Sequence, residues 1–352
     1  MSSASHLRDR LRSEGPLPFA CFMEAALYGQ GGYYSREEVP IGEEGDYVTG
    51  ASLSPLFGRV TARLLSRLDR ALGGRAELFE AGYGTGAHLR NVLSSPFYKE
   101  WGPRRVRAWD RVARAVPEEV ERVESLAMLG EGEVHGLIFS YELFDALPVH
   151  RLIGRQDGTV GELWVEVGED GEFAWREGEV SDTALPALLG GAGLAPGQVA
   201  DVAPGWGPLY RELARRLGGG LLVTCDYGFE RERLFDPRVR FHGTLACYTR
   251  QRVHRNPFVL VGEQDLTAHV DFTTLIRAGE SEGLTTVALT RQALWLTAAG
   301  LFEELQGADL ATRHQAMALL DGEGMGEEIR VLIQARGIDP RDVLGPGLPG
   351  LG

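Results

Sequence analysis

Residues 78–89 read LFEAGYGTGAHL: a short apolar run closing on Glu80, glycines at 82, 84 and 86, then a helix-like AHLRNVL. Glycine is costly inside a strand or helix and is kept where the backbone must turn left-handed or approach something closely. Three at this spacing demand a tight strand–turn–helix corner. Open α/β sheets hold ligands at such corners, beyond the carboxyl ends of their strands. This feature alone points to an α/β fold with a ligand at the turn.

What is missing narrows the ligand. A Walker phosphate loop ends in GK[ST], and Lys99 is the only lysine in the chain. The dinucleotide fingerprint comes closer, since Gly82-x-Gly84-x-x-Ala87 fits it and Asp110 follows on the next strand. Against it, that fingerprint usually opens its domain, and Glu80 would repel a pyrophosphate. S-adenosylmethionine suits the same residues better, because its sulfonium and amino groups are cationic and it has no phosphate. Glu80 then becomes favourable, the glycines admit the amino-acid moiety, and Asp110 can accept from both ribose hydroxyls. A nicotinamide oxidoreductase is the more distant reading.

Beyond the corner, strands alternate with helices. RRVRAWD is a strand ending at Asp110, followed by a helix over 113–124, a strand over 136–140, a helix over 206–217 and a strand over 220–228. This is the pattern of parallel βαβ units. GELWVEVGEDGEFAWREGE (161–179) alternates with period two around EDG and reads as an inserted hairpin. Ahead of the corner, helical spacing covers 5–14 and 18–28, with Phe19, Phe22, Met23, Ala26 and Leu27 on one stripe. A longer amphipathic helix covers 54–74, with Leu56, Val60, Leu64, Leu65 and Leu68 inward. The division expected is a helical N-terminal segment (1–74) covering the cofactor crevice, a core (75–300) with an insertion over about 153–205, and a helical C-terminal segment (301–352). The closing GPGLPGLG is expected to be disordered.

The net charge of −14 opposes docking on nucleic acid. No apolar run approaches the roughly 18 residues of a membrane span. MSSASHLRDRLRSEG has no hydrophobic signal region, which makes a cytoplasmic location the expectation. Cys21, Cys225 and Cys247 are isolated and predict neither disulfides nor zinc. RRVR (104–107) reads as the solvated start of a strand.

Further segments carry a resemblance. PFACFMEAALYGQGGYY (18–34), GDYVTGASLSPLFG (45–58), SYELFDALPVHRL (140–152), CDYG (225–228), GTLACYTRQRVHRNPF (243–258), GEQDLTAHVDFT (262–273) and GEGMGEEIRVL (322–332) resemble the MidA-type family of S-adenosylmethionine-dependent methyltransferases. The likeness runs from about residue 7 to 335. It implies a doubly wound, Rossmann-like methyltransferase sheet with a helical N-terminal segment and an inserted hairpin subdomain. It further implies a protein-arginine N-methyltransferase, since mitochondrial members methylate an arginine of a respiratory complex I subunit and assist its assembly. The partner implied is a protein with an acceptor arginine, with room left for a homodimer. This chain departs from the family pattern at Ser52 (usually Glu), Tyr141 (usually Asn), Tyr83 (usually Pro) and Ala87–His88 (usually Thr-Leu). Those departures keep two alternatives open: a methyltransferase for a small molecule or another side chain, and a catalytically weak assembly protein retaining the donor site.

Site residues follow from motif and chemistry together. Glu142 is the first candidate to orient a guanidinium, with Asp145 second, the two sharing one face if their turn is helical. Asp145 reads equally well as a turn residue. Asp226 is the third catalytic candidate, with capping of the next turn as its rival role. Glu80, Gly82, Gly84, Gly86, Asp110, Ser140 and Thr49 are assigned to the donor. Tyr28, Tyr34, Tyr227 and His269 are assigned to the acceptor, with packing of the N-terminal helix onto the sheet an equal reading for the N-terminal tyrosines, Tyr33 included. Asp265, His269 and Asp271 are spaced somewhat like metal ligands but lack a third imidazole or thiolate, so no metal is expected.

Overall fold

The computed structural model describes residues 3–36, 54–101, 104–321, 325–345 and 348. These fall into two compact units between which the chain passes repeatedly. The first takes the described residues up to 36, with 144–207 and 228–274; the second takes 54–143, 208–227 and those from 275 on. The boundaries differ from the linear division at 74/75 and 300/301. The insertion shares its unit with the N-terminal helices and with residues 228–274.

The second unit is built on strands β1 (Glu77–Ala81), β2 (Val106–Trp109), β3 (Glu121–Arg122), β4 (Val134–Tyr141), β5 (Leu217–Phe229), β6 (Thr285–Arg291) and β7 (Ile329–Arg336). Their order is β6-β7-β5-β4-β1-β2-β3. β1 to β5 run parallel, whereas β7 is antiparallel to both β5 and β6. All five residues of β1 are buried. A strand covered on both faces reads as an apolar run rather than an alternation, which is how LFEA looks in sequence. The register Ala81↔Ser140 and Thr224↔Ser140 brings the ends of β1 and β4 level with Thr224 and Cys225 of β5, which runs on to Phe229.

Helix α1 (Pro55–Leu72) starts where the Ser54 hydroxyl accepts the Leu56 N–H at 3.1 Å, with Pro55 in its first turn, and stops at left-handed Gly73. Its apolar stripe lies in the core as the periodicity predicts. Each such leucine contributes about 1.5–3 kcal/mol by leaving water. Helix α2 (Ala87–Ser94) follows the glycine corner.

Three expectations need correction here. Residues 111–120 form no helix. Pro117 lacks an amide hydrogen and biases Val116 toward extended backbone, so the turn cannot propagate. The segment after residue 300 is not wholly helical, because β7 lies inside the sheet with Ile329 and Val331–Ile333 buried. RRVR is a solvated strand start only at Arg105, which is exposed. Arg107 is fully buried and forks onto both oxygens of Glu77 at 3.0 Å, while Arg104 forks onto Asp69 at 3.0 and 2.9 Å. Of the closing tail, Gly345 N–H bonds the Ala298 carbonyl at 2.9 Å and Leu348 is buried. Residues 346–347 and 349–352 lie outside those described.

In the first unit, strands His150–Gly154, Val160–Val167 and Val199–Val202 form an antiparallel sheet, which Leu17–Pro18 and Phe173–Gly178 join beside Val160–Val167. The hairpin around EDG is present, closed by Gly168 N–H to the Glu172 carbonyl at 2.8 Å. Helix Phe19–Tyr28 buries its predicted stripe, and Phe19, Phe22, Phe173, Trp175 and Phe258 stack into one aromatic cluster.

Arg107→Met would strand the Glu77 carboxylate in a dry interior. The expected loss is about 3–5 kcal/mol, read as a lower urea midpoint. Adding Glu77→Gln, which keeps an acceptor for the His135 N–H, should restore part of it.

Candidate functional site

The site begins at the end of β1. Gly82 (φ 76°), Gly84 (φ 53°) and Gly86 (φ 72°) all occupy the left-handed region. Gly82 N–H bonds the Trp109 carbonyl at 2.7 Å, and Gly86 N–H the Tyr83 carbonyl at 2.7 Å. A side chain on Gly82 would strike Leu143 at 2.9 Å, whereas one on Gly84 would meet none of the described residues within 4 Å.

Asp110, one residue past β2, accepts the Gly84 N–H at 2.8 Å through one oxygen and the Val112 N–H at 3.0 Å through the other. Burial pushes its carboxyl pKa up, and these amides work against that shift. A carboxylate has about four acceptor sites, so capacity remains for a hydroxyl donor. Asp110 thus shapes the glycine turn and still offers an oxygen.

Glu80 is buried and turned toward α2. His88 Nδ1 lies 2.8 Å from its Oε2, and His88 Nε2 lies 2.9 Å from the Thr61 hydroxyl. Thr61 in turn donates to the Phe57 carbonyl at 3.2 Å, so Nε2 serves as the donor toward Thr61. Phe57 and Phe139 enclose the imidazole, with ring centroids at 5.6 and 4.8 Å. His88 was not singled out as a site residue by sequence reasoning. The signal was its place where the family carries leucine.

Ser140 is fully buried in β4 and donates to Thr224 on β5 at 3.0 Å. Its hydroxyl is thereby engaged inside the sheet. Glu142 follows at φ 48°, its N–H bonding the Cys225 carbonyl at 2.9 Å. A non-glycine residue in this region costs roughly 1–2 kcal/mol, and such strain collects where a side chain must be aimed. Asp226 is fully buried and accepts the N–H groups of Leu143 at 3.2 Å and Tyr227 at 2.9 Å. It takes the capping role and holds the bend that carries Glu142. Burial, then Asp226 and Glu142, push the Cys225 thiol far up, so it is inert.

The helical face imagined for Glu142 and Asp145 does not form. Glu142 is left-handed, residues 144–147 make a turn closed by Leu147 N–H to the Phe144 carbonyl at 3.2 Å, and Asp145 belongs to the first unit. There Asp145 is buried and its carbonyl accepts the Ala268 N–H at 2.9 Å. Tyr28 donates to the Ala146 carbonyl at 3.0 Å and stacks on Tyr34 at 5.5 Å, while Tyr33 is fully buried against Tyr34. Tyr227 is half-buried at the edge of the second unit's core. Asp271 pairs with Arg231 at 2.7 Å, and Asp265 accepts the Leu266 N–H at 2.9 Å. Thr49 and Ser52 lie outside the described residues.

Two of the departures noted in sequence acquire structural roles. The Tyr83 hydroxyl donates to the Arg114 carbonyl and accepts the Arg114 N–H, both at 2.8 Å, so it clamps the loop after Asp110. The Tyr141 hydroxyl donates to Gln292 at 2.7 Å and its ring meets Phe57 edge-on.

A doubly wound sheet, a glycine corner, acids at the ends of adjacent strands and no lysine for a phosphate define a nucleoside-binding methyltransferase. The chain belongs to the Methyltransf_28 family, described as "Putative S-adenosyl-L-methionine-dependent methyltransferase", whose model matches residues 103–290. It is 27% identical over 331 residues to the mitochondrial protein arginine methyltransferase NDUFAF7 homolog of Drosophila melanogaster, covering 80% of this chain and 71% of that protein. The human mitochondrial protein arginine methyltransferase NDUFAF7 is 24% identical over 322 residues, covering 79% and 68%. A COG1565 superfamily member from Burkholderia thailandensis, bound to S-adenosyl-homocysteine, superposes with a TM-score of 0.88 at 27% identity over 99% of this chain and 95% of that one. The cofactor is S-adenosyl-L-methionine. Gly84, where an added side chain would meet none of the described residues, and the remaining acceptor capacity of Asp110 fit it.

Gly84→Val would place a branched side chain at φ 53°. Binding of S-adenosylhomocysteine should weaken by more than about tenfold in calorimetry, and unchanged affinity would remove the corner from the donor site.

His269 offers a pH prediction. Burial first, then Arg240, lowers its pKa from 6.5 to about 4. A histidine depressed in the folded state is protonated first in the unfolded chain. Its contribution is therefore full above pH 6.5 and lost as pH falls toward about 4. The melting temperature should drop across that window, and His269→Gln should flatten the drop.

Proposed function

We propose that this enzyme methylates an arginine side chain of a protein. The observation that carries the reading is Glu142, an acid held in a strained left-handed bend at the end of β4 by the Cys225 carbonyl and the Asp226 carboxylate. A planar guanidinium is oriented best by a carboxylate fork fixed in advance. Relatives named as protein arginine methyltransferases, at 24–27% identity, support the same acceptor.

S-adenosylmethionine, when bound, supplies an electrophilic methyl carbon on its sulfonium. Gly82, Gly84 and Gly86 would give the donor's amino-acid end a close backbone approach, and Asp110 would accept from its ribose hydroxyls. Glu80, steadied by His88, adds negative potential beneath the corner. Glu142 would hold the acceptor guanidinium in line; the acceptor nitrogen gains its N–CH3 bond as the S–CH3 bond breaks to leave S-adenosylhomocysteine, and the N–H proton it loses passes to water. The work of these residues is alignment and charge placement, which is most of what an in-line methyl displacement requires. Tyr227, in the same unit as Glu142, is proposed to contact the acceptor segment.

The test is lysate from a strain lacking the protein, incubated with the purified enzyme and methyl-labelled donor, then hydrolysed for amino-acid analysis. Label in methylarginine is expected. Label in another residue or in a small molecule would overturn the assignment. Glu142→Gln should keep donor affinity within about twofold while turnover falls by roughly 100-fold.

A further inference from the structure

The first unit holds a charge cluster that methyl transfer leaves unexplained. Two guanidinium groups sit on the Phe229 ring, Arg233 with its Cζ 4.3 Å from the centroid and Arg240 at 4.8 Å. Their separation is thus no more than the sum of those distances. The His269 ring packs on the same phenylalanine at 5.8 Å. Arg255 is close enough to act electrostatically on both Arg240 and His269.

Three neighbouring arginines of this unit are matched: Arg231 on Asp271 at 2.7 Å, Arg238 on Asp236 at 2.8 Å and Arg151 on Asp201 at 2.9 Å. Among the described residues, Arg233, Arg240 and Arg255 have no such carboxylate, and the shielded Nε of Arg240 has no hydrogen-bond partner. Burial and the two neighbouring arginines all disfavour the charged form of Arg240. Like charges collected around a ring oppose one another, in a chain whose net charge of −14 leaves carboxylates in excess. The scaffold beneath is fixed, since Gly228 and Phe229 pair with Val270 and Asp271, and the Arg240 N–H bonds the Asp236 carbonyl at 2.8 Å.

We infer that Arg233, Arg240 and Arg255, with the Phe229 ring and His269, form a binding site for a phosphate dianion, either free or esterified to a small molecule. A phosphate monoester brings nearly two charges and three terminal oxygens to planar forks that match them. A carboxylate brings one charge and two oxygens. A polyanion such as nucleic acid meets the repulsion of the whole chain, whereas a small dianion is screened from distant charges beyond about 8–10 Å.

The test is calorimetry on the full-length protein with inorganic phosphate and, separately, glycerol 3-phosphate, at constant ionic strength set with sodium chloride. Saturable binding is expected, weakened at least tenfold by Arg240→Gln and by the exposed, structurally undemanding Arg233→Gln. Tighter binding of the ester identifies an esterified ligand, and equal or weaker binding identifies free phosphate. The inference is overturned if neither probe binds, if both variants bind as the parent does, or if a pentaglutamate peptide binds as tightly as either probe.

Discussion

Where parallel strands end, their backbone amides lose the ladder partners that a buried group needs, and this constraint organises the second unit. The edge of β1, β4 and β5 answers it with carboxylates. Asp110 takes the Gly84 and Val112 N–H groups, and Asp226 takes those of Leu143 and Tyr227. The Glu142 N–H goes to the Cys225 carbonyl. Acids at strand tips thus do two things at once: they fix the bends, and they make the edge anionic. A sulfonium donor suits that arrangement, whereas a pyrophosphate would find both the charge and the missing lysine against it.

The departures from the family pattern also take on meaning as a connected set. Tyr83 clamps the loop after Asp110, His88 engages Glu80, and Tyr141 reaches Gln292 while its ring joins Phe57. Phe57 touches both His88 and Tyr141, so the replacements on β4 and α2 share one aromatic neighbour on α1. A histidine between a carboxylate and a threonine makes a fully hydrogen-bonded buried network where leucine would supply only volume. Such networks favour a single arrangement of their members when every polar atom is satisfied.

The first unit handles charge differently. Arg151 is buried on Asp201, which also accepts the Leu245 N–H at 3.0 Å, so one carboxylate anchors both a sheet arginine and the GTL segment. Arg231 is likewise fixed to Asp271 and Thr274. Against this economy of matched pairs, the unmatched arginines around Phe229 stand out as an arrangement awaiting an anion.

Much was legible in the residues. The glycine corner, the apolar β1, the capped α1, the EDG hairpin and Asp110 follow from local rules: backbone freedom, period and cap chemistry act within a few residues. β7 was not legible as a strand, because burial on both faces erases alternation, and neither was the loss of the helix at 113–124, where Pro117 overrode the pattern. The roles of the acids were also hidden. Glu142, Asp145 and Asp226 look alike as residues of two short motifs, yet one occupies a strained bend, one a buried turn in the other unit, and one caps backbone amides. The sequence by itself determined the α/β class, the glycine turn and the preference for a cationic, phosphate-free donor, since these depend on residue chemistry at short range. Only the tertiary structure decided what each carboxylate engages, because hydrogen-bond partners such as His88 for Glu80 or Leu143 for Asp226 are set by packing between elements far apart in the chain.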